Sequence, residues 1–375
     1  MAFTPFSFDG FRFDRKALED YLSWGAELGA SDIVLRSDHP LTVRLHGEYF
    51  QASRHRPSSN ELFELLDDIY MKSASATLRG GKPLDFRFEV RLDRTRRLAF
   101  RGNATSVHPY NGVGVGAAIV FRTIPDVPPS VEDLKLESHL LDHAFPGTGM
   151  VIVTGPTGSG KSTLLAALLR QVLETPPGRH VLTYEAPIEF NLGRIENMAG
   201  LVAQSEIPKH IESFSRGVEN ALRRAPDVIL VGEMRDSETI EGGVTAAQTG
   251  HVVYSTLHTY GVVSALWRMA DMYPLGYRES AASKILDSFR LLVHQRLVPR
   301  KGGGRLALIE TLPFTEQIRE ELQEVVKDPS AFFSAARIRL REVGHPLERD
   351  LEIKSDLVDP RYLDKIAREI KRDER

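Results

Sequence analysis

The first third of the chain alternates between helical and strand-like spacing of its apolar residues. Helical spacing covers Phe13–Leu28 and Ser58–Leu78, and the second segment opens with a sequence that can form a capping box. Strand-like patterns occupy Asp32–Arg36, Leu41–Leu45, Leu84–Leu92, Leu98–Val107 and Val113–Ile124. The turn sequence Tyr110–Gly112 is typical of a hairpin between the last two strands. The order αββαβββ predicts a small α+β domain with an antiparallel sheet over residues 1–124.

Three prolines within residues 125–129 end this pattern, since they cannot continue a helix or a central strand. We therefore place a linker at residues 125–132 and a second domain at residues 133–375. There, helical segments such as Ser237–Gln248 separate apolar strands without alternation, at Met150–Thr154, His180–Tyr184, Val228–Val231 and Val252–Ser255. This order predicts an α/β domain with a parallel sheet covered on both faces. After Glu316 the chain is charged and helical, and its last residues are expected to fray.

Composition and charge mainly exclude certain classes of protein. Of the 375 residues, 42% are hydrophobic and 26% are charged, as in ordinary globular proteins. A net charge of −3 gives no reason to expect whole-surface binding to nucleic acid or anionic membrane. The lack of cysteine excludes disulfides and thiolate chemistry. No run approaches the about 18 apolar residues that span a bilayer. No secretory signal is visible, so we expect a cytoplasmic protein that reaches membranes only through partners.

One motif carries specific chemistry. The pattern GxxxxGK[ST] follows an apolar strand and opens a helix, which is the context of a phosphate-binding loop. Its glycines let backbone N–H groups converge on phosphate oxygens, and the helix N-terminus adds partial positive charge. Lys161 would reach the β- and γ-phosphates of ATP, and the Ser162 hydroxyl would bind Mg²⁺. The motif comprises Gly155, Pro156, Thr157, Gly158, Ser159, Gly160, Lys161 and Ser162.

Acidic residues follow two further strands. In many NTPases a strand ends in an Asp that binds Mg²⁺, followed by a catalytic Glu. Here Gly232 takes the Asp position, so Mg²⁺ would depend more on Ser162 and water. Glu233 is interpreted as the residue that orients or deprotonates the attacking water, rather than as a surface acid. Glu185 ends another strand, at the edge where parallel strands border a ligand crevice. It is either a functional residue or a strand-terminal residue with no role in the chemistry.

A histidine and several arginines surround these acids in the sequence. His258 follows a strand and could reach a γ-phosphate, although a lone histidine is usually structural. A guanidinium near the Glu233 strand could stabilise phosphoryl transfer, although most arginines are simply solvated. The arginines near that strand are Arg223, Arg224 and Arg235.

Together these motifs resemble those of the secretion ATPase superfamily of type II secretion, type IV pili and type IV secretion. GASDIVL, LDFRFEV, RLAFRGNA and VFRTIP are similar to its amino-terminal region. GPTGSGKST resembles its Walker A motif, TYEAPIEF its Asp box, DVILVGEMRD its Walker B region and TGHVVYSTLHT its His box. The resemblance implies a PAS-like N-terminal domain, a RecA-like P-loop ATPase domain and a homo-hexameric ring. ATP would lie between the two domains and a neighbouring subunit.

The resemblance also implies roles for individual residues. Phosphate and Mg²⁺ would be bound by Lys161, Ser162 and Thr163. Glu233 would be the catalytic glutamate, Glu185 the first acid of the Asp box and His258 the His-box residue. Arg101 and Arg122 lie at strand positions where family members direct arginines of the N-terminal domain toward a nucleotide, that of an adjacent subunit.

Two departures from the family pattern indicate which branch of the family the chain resembles. Ala186 replaces the Asp of the usual EDP sequence, which shifts any metal role to Glu185 and Glu189. The lack of cysteine excludes the tetracysteine zinc insertion of assembly-type members, and the length argues against their extra N-terminal domain. The chain is therefore more similar to the compact PilT-type members. EAPIEF and ALRRAPD resemble the Dot/Icm and IncI-type conjugation branch (DotB/TraJ-like).

This branch implies a cytoplasmic motor ATPase that powers type IV secretion or conjugal transfer and is recruited peripherally to an inner-membrane complex. A pilus retraction ATPase (PilT-like) at a pilus base is the alternative. A RecA-like nucleic-acid translocase is more remote, because nothing in the ATPase half interleaves aromatic residues with a basic groove. Direct nucleic-acid binding is therefore not expected. A third class of protein that stays open is a P-loop kinase or a nucleotide sensor without motor activity.

Overall fold

A computed structural model of the chain describes residues 4–8, 10–94, 96–110 and 114–373. The chain forms two compact units, Met1–Val127 with Ala186–Arg194 and Pro128–Glu185 with Ile195–Arg375. The domain ranges predicted from the sequence stay a prediction, and they did not anticipate that Ala186–Arg194 belongs to the first unit. Within the described residues, no helix combines the length and apolar character needed to cross a bilayer.

The first unit is a six-stranded sheet with three helices. Its helices are α1 (Arg15–Glu27), α2 (Ser59–Ile69) and α3 (Ala74–Arg79). Its strands are β1 (Asp32–Arg36), β2 (Thr42–Leu45), β3 (Glu48–Gln51), β4 (Leu84–Arg91), β5 (Arg97–Val107) and β6 (Gly116–Ile124). They lie in the order β3-β2-β1-β6-β5-β4, and every neighbouring pair is antiparallel. The predicted α+β domain with an antiparallel sheet is confirmed.

Local sequence explains most of these boundaries. Ser58 and Glu61 form the predicted capping box at the start of α2. The predicted continuous helix over Ser58–Leu78 is wrong, because the chain turns after Ile69 and resumes as α3. Strand β3 was not predicted. It follows a tight hairpin turn at His46 and Gly47, whose φ values are 49° and 91°. The predicted hairpin turn Tyr110–Gly112 lies beyond the described residues except for Tyr110.

The second unit is built on a seven-stranded sheet. Its strands are β7 (Gly149–Thr154), β8 (His180–Glu185), β9 (Leu201–Glu206), β10 (Val228–Val231), β11 (Val252–Leu257), β12 (Phe289–Pro299) and β13 (Arg305–Pro313). Its helices are α4 (Ser138–Ala144), α5 (Lys161–Glu174), α6 (Phe214–Ala221), α7 (Ser237–Gln248), α8 (Ala265–Ala270), α9 (Arg278–Ser288), α10 (Glu316–Val325), α11 (Pro329–Glu342), α12 (Leu347–Ile353) and α13 (Pro360–Asp373).

The sheet order is β13-β12-β7-β11-β10-β8-β9, and all neighbours are parallel except β12 and β13. The central strands β7, β10 and β11 are buried along their whole length, as expected for a sheet covered on both faces. The predicted α/β fold is confirmed. Strands β7, β10 and β11 end at the same edge, so the loops that follow them can share one site.

The C-terminal residues are more ordered than predicted. Helix α13 continues to Asp373, and its Ile366 and Ile370 are 4% and 2% exposed. They pack in one apolar cluster with Val298 of β12 and Leu308 of β13. An amphipathic stripe at i and i+4 therefore fixes a helix that the charged sequence suggested would fray.

Asp350 of α12 should be a strong determinant of stability. It is fully buried, and its carboxylate accepts hydrogen bonds from Ile309 N (2.7 Å), Lys354 Nζ (2.9 Å) and His345 Nε2 (3.2 Å). Asp350→Ala leaves these donors without an acceptor, so we expect the free energy of unfolding to fall by about 3–5 kcal/mol. Chemical denaturation followed by circular dichroism measures this. The exposed Asp356→Ala is the control, and equal midpoints for both variants would contradict the assignment.

Candidate functional site

The GxxxxGK[ST] segment forms a loop, called the P-loop below, between β7 and α5. Strand β7 ends at Thr154, and α5 begins at Lys161. Gly160 precedes the helix with a φ of 88°, a left-handed conformation that favours glycine. The N–H groups of the first turn of α5 and the positive end of its dipole therefore lie at the carboxyl edge of the sheet, in the form that binds phosphate.

Lys161 and Ser162 share the first turn of α5 but differ in exposure. Lys161 is 8% exposed, and its Nζ donates hydrogen bonds to the carbonyl oxygens of Gly155 (2.8 Å) and Pro156 (3.0 Å). Its ammonium group thus lies against the loop. Ser162 is exposed and Thr163 is half-buried. The Ser162 hydroxyl is therefore accessible to a metal ion, as the motif predicts.

Glu233 and His258 meet at the carboxyl ends of the neighbouring strands β10 and β11. Glu233 Oε1 lies 3.4 Å from His258 Nε2, and Glu233 Oε2 lies 2.6 Å from Arg235 Nη2. The Glu233 side chain is 18% exposed, whereas His258 is 43% exposed. A carboxylate held in this way at a strand end beside a P-loop can orient an attacking water.

Gly232 has a steric reason to replace the aspartate found in many NTPases. Its N–H donates a hydrogen bond to the carbonyl oxygen of Tyr184 (2.8 Å), and its own carbonyl accepts one from Thr256 Oγ1 (2.6 Å). A Cβ at Gly232 would lie 3.1 Å from the Tyr184 oxygen, which is tighter than ordinary van der Waals contact. The Tyr184 carbonyl would have to move by a few tenths of an ångström before a side chain fits here.

The two acids of the Asp-box region have different partners. Glu185 Oε1 accepts hydrogen bonds from Thr183 Oγ1 (2.7 Å) and Gln204 Nε2 (3.0 Å), both in the second unit. Glu189 belongs to the first unit, where its Oε1 lies 3.2 Å from Arg101 Nη1. Glu189 is thus part of an ion pair, and a metal role of Glu185 or Glu189 stays a prediction.

Arg101 and Arg122 lie directly opposite each other on β5 and β6. Arg122 donates from Nε (3.1 Å) and Nη2 (2.6 Å) to Oδ1 of Asp32, whose side chain is 7% exposed. Burial alone would raise the pKa of Asp32, but hydrogen bonds from Arg122 and Ser31 outweigh it and lower that pKa. Arg101 has looser contacts and is 43% exposed. The two arginines therefore differ in how easily each could turn to another anion.

His294 lies in β12, beside the P-loop, and was not predicted as a site residue. Its Nδ1 lies 3.0 Å from Thr154 Oγ1 and accepts a hydrogen bond from the Gly261 N–H (3.2 Å). Burial, aided by the nearby charges of Arg296 and Lys161, lowers the pKa of His294 to about 4. The ring is therefore neutral at pH 7, as its acceptor role requires.

The segment after His258 is attached to β12 and β13. Gly261 is bound by His294, and Glu310 Oε1 accepts a hydrogen bond from the Val262 N–H (2.9 Å). Glu310 is 4% exposed. The neutral imidazole and the buried carboxylate thus fix the chain immediately after the His-box residue.

A cavity of about 760 Å³ borders the outer side of the P-loop within the second unit. Residues Pro156 to Ser159 form one wall, and neither Glu233 nor His258 lines it. Its basic residues are Arg296, Arg305, Arg337, Arg341 and Arg372, and its acidic residues are Glu310 and Glu369. This excess of positive charge beside the P-loop favours an anionic ligand at the loop.

A second cluster of potential ligands is better explained as structural. His139, His345 and Asp350 offer ligand atoms within 4.8 Å of one another. The two imidazole rings are stacked, with centroids 3.8 Å apart and planes 15° apart, so their in-plane lone pairs do not converge on one ion. Lys354 Nζ already supplies a positive charge 2.9 Å from Asp350. The cluster joins α4 to α12.

A P-loop at the end of a central parallel strand, with a carboxylate at the end of β10, defines a RecA-like P-loop ATPase. The family model of the type II/IV secretion system protein matches residues 15–328, and the chain belongs to this family. The twitching motility protein of Neisseria gonorrhoeae is 39% identical, covering 75% of this chain and 72% of that protein. The type IV pilus retraction ATPase PilT of Pseudomonas aeruginosa is 36% identical, covering 82% and 85%.

Solved structures extend this similarity over nearly the whole chain. The Legionella pneumophila ATPase DotB has a TM-score of 0.90 and 37% identity, covering 97% of this chain and 98% of that one. The pilus retraction motor PilT with bound ADP has a TM-score of 0.76 and 29% identity, covering 93% and 96%. The chain is accordingly a nucleotide-using ATPase of the PilT/DotB type.

The neutral state of His294 predicts a pH dependence. Its folded pKa is about 4, below the ordinary 6.5, so the unfolded chain binds the proton first as pH falls. The stability that the neutral ring contributes is complete above pH 6.5 and is lost toward pH 4, by about 3 kcal/mol in all. Denaturation midpoints between pH 7.5 and 4.5 measure the loss. His294→Asn should flatten this part of the curve, and parallel curves would refute the assignment.

Proposed function

We propose that the protein is the hexameric motor ATPase of a type IV secretion or conjugal transfer system, recruited peripherally to its inner-membrane complex. The observation that carries this proposal is the similarity to DotB over 97% of the chain, together with a complete P-loop beside the Glu233–His258 pair. A pilus retraction ATPase is the second candidate, because the P. aeruginosa relative that is 36% identical is named for that activity.

In the proposed reaction each site residue has one task. Lys161 exchanges the carbonyls of Gly155 and Pro156 for the β- and γ-phosphates of ATP. Glu233 orients the attacking water and accepts its proton, and His258 holds the carboxylate and contacts the γ-phosphate. The arginines around the adjoining cavity raise the potential that attracts the triphosphate.

The residues fit Mg²⁺ only as a partner of the nucleotide. The exposed Ser162 hydroxyl is the ligand that the P-loop offers. Gly232 offers no side chain, and its contact with Tyr184 explains why. Mg²⁺ commonly combines few protein ligands with phosphate oxygens and waters. We therefore assign Ser162 as the protein ligand, and the ion would neutralise charge on the β- and γ-phosphates.

Arg101 is the better candidate for an arginine that acts on a neighbouring subunit's ATP. Its ion pairs with Glu189 and Asp85 are at 3.2 and 3.7 Å, and all three side chains are at least 30% exposed. Arg122 is bound through two nitrogens to the nearly buried Asp32, and its release would leave that carboxylate with the more distant Arg44 at 3.8 Å. We propose Arg101 for this role and a structural role for Arg122.

Glu233→Gln tests the catalytic assignment. The amide keeps the size of the side chain but cannot take a proton, so ATP hydrolysis should fall by about 10²–10⁴-fold. Binding of ATP and the oligomeric state should not change. Lys161→Ala should instead weaken nucleotide binding itself, because it removes a contact present in the ground state. Phosphate release and fluorescent-nucleotide titration separate the two effects. Near-normal turnover in Glu233→Gln would remove it from the role.

A mixing experiment tests catalysis across subunits. An arginine supplied in trans increases the rate of hydrolysis by about 10³–10⁵-fold, so Arg101→Ala should be almost inactive. Lys161→Ala should also be almost inactive, because it loses its contact with the phosphates. Mixed rings restore part of the activity, because some boundaries pair an intact P-loop with an intact arginine. Activity per subunit should also rise with protein concentration. Arg122→Ala serves as comparison and should lower thermal stability more than turnover. The trans role fails if mixtures show no rescue and activity is independent of concentration.

The biological system is tested by purification from membranes and by a gene deletion. A secretion ATPase should co-purify with a type IV secretion complex, and its loss should abolish substrate or plasmid transfer. A pilus retraction ATPase would co-purify with a pilus base, and its loss would abolish twitching. Stimulation of hydrolysis by single-stranded DNA in the absence of either complex would favour a nucleic-acid translocase instead.

A further inference from the structure

Gln295 of β12 is buried against the P-loop. Strand β12 runs parallel to β7 with His294 paired to Thr154, so Gln295 is the next residue along, where the loop begins. Gln295 is 5% exposed, and its Nε2 donates a hydrogen bond of 2.6 Å to the carbonyl oxygen of Ser159. The amide is neutral and needs no counter-ion beside Lys161.

Two glycines of the P-loop lie against the same residue. A Cβ at Gly155 would lie 2.4 Å from the backbone oxygen of Gln295, and a Cβ at Gly160 would lie 2.6 Å from its Nε2. Real Cβ atoms do not approach other atoms so closely. The loop therefore needs glycine at these two positions partly because Gln295 is in contact with both.

The bond to Ser159 has a geometric consequence. The peptide between Ser159 and Gly160 is planar and trans, so its C=O and N–H point in opposite directions. Gln295 holds the Ser159 carbonyl toward β12. The Gly160 N–H must then point away from β12, on the side where the loop's other N–H groups converge on phosphate.

We infer that Gln295 is a positioning residue that orients the Gly160 N–H toward the β-phosphate of the nucleotide. This inference rests on the proposed use of the P-loop for ATP. A side chain of equal length without the donor leaves the peptide free to rotate, and the entropy of that rotation opposes binding. His294 supports the arrangement, because its bonds to Thr154 and Gly261 fix β12 beside the loop.

Gln295→Met tests the inference in the full-length protein. Methionine keeps the length and burial of the side chain but removes the donor. Loss of one hydrogen bond that acts on a phosphate contact should weaken ADP binding about 3- to 10-fold. AMP, which lacks the β-phosphate, should bind as it does to the unaltered protein. Calorimetry measures ADP affinity, and saturation-transfer NMR measures AMP affinity.

Gln323→Met is the matched control. Gln323 Nε2 also donates to a serine, at Ser283 O (3.2 Å) and Oγ (2.7 Å), but between α10 and α9. We expect this variant to lose stability and to keep its ADP affinity. Gln295→Glu is a second variant, similar in shape and without the donor when ionised, and its added negative charge beside the loop should weaken ADP binding more than Met does.

The outcomes separate this inference from the proposed function. Unchanged ADP affinity in Gln295→Met and Gln295→Glu, or an equal loss for ADP and AMP in Gln295→Met, would overturn the positioning role. Lys161→Ala provides the other reference. If it leaves ADP affinity intact, the P-loop is not the nucleotide site and the proposed function fails. If it abolishes ADP binding while both Gln295 variants bind normally, only the inference fails.

Discussion

The close approach of β12 to the P-loop is the constraint on which the second unit depends. The neutral imidazole of His294 accepts a hydrogen bond from Thr154 of β7, and the neutral amide of Gln295 donates one to Ser159 of the loop. Both partners are uncharged, so the contact can be buried beside Lys161 without adding charge to a site that must bind a highly charged ligand. Gly160 has a left-handed φ, and a Cβ there would lie against the Gln295 amide.

The other side of the site depends on the edge formed by β8, β10 and β11. Thr256 and Tyr184 bind the two backbone groups of Gly232, which fixes the end of β10 and places Glu233 beside His258. Because these bonds are made by backbone and buried hydroxyl groups, the position of Glu233 is set by the sheet and not by a mobile loop. Glu233 and the P-loop, the two sides of the candidate site, are thus both supported by strands.

The sequence predicted those features that depend on contacts between residues close together in the chain. The P-loop, the buried strands β10 and β11 and the capping box of Ser58 and Glu61 each carry a signal within a few residues. The candidate site residue Glu233 carries such a local signal too, as an acid that follows an apolar strand. Its contact with His258 carries none, since it depends on strand order.

Other features depend on contacts between distant parts of the chain. In strand β12, the polar His294 and Gln295 form hydrogen bonds with neighbouring loops. The strand therefore lacks both the alternating pattern and the continuous apolar run by which strands are predicted. The pairing of Arg122 with Asp32 and the membership of Ala186–Arg194 in the first unit have no local signature. Gly232 has a further consequence for the order of ligand exchange. No carboxylate stands at position 232, and the neighbouring Glu233 is already paired with Arg235 and His258. This strand end should therefore have little affinity for a free divalent ion, so we expect Mg²⁺ to arrive and depart as a complex with the nucleotide. Free magnesium would then control the enzyme only through the fraction of ATP that is complexed.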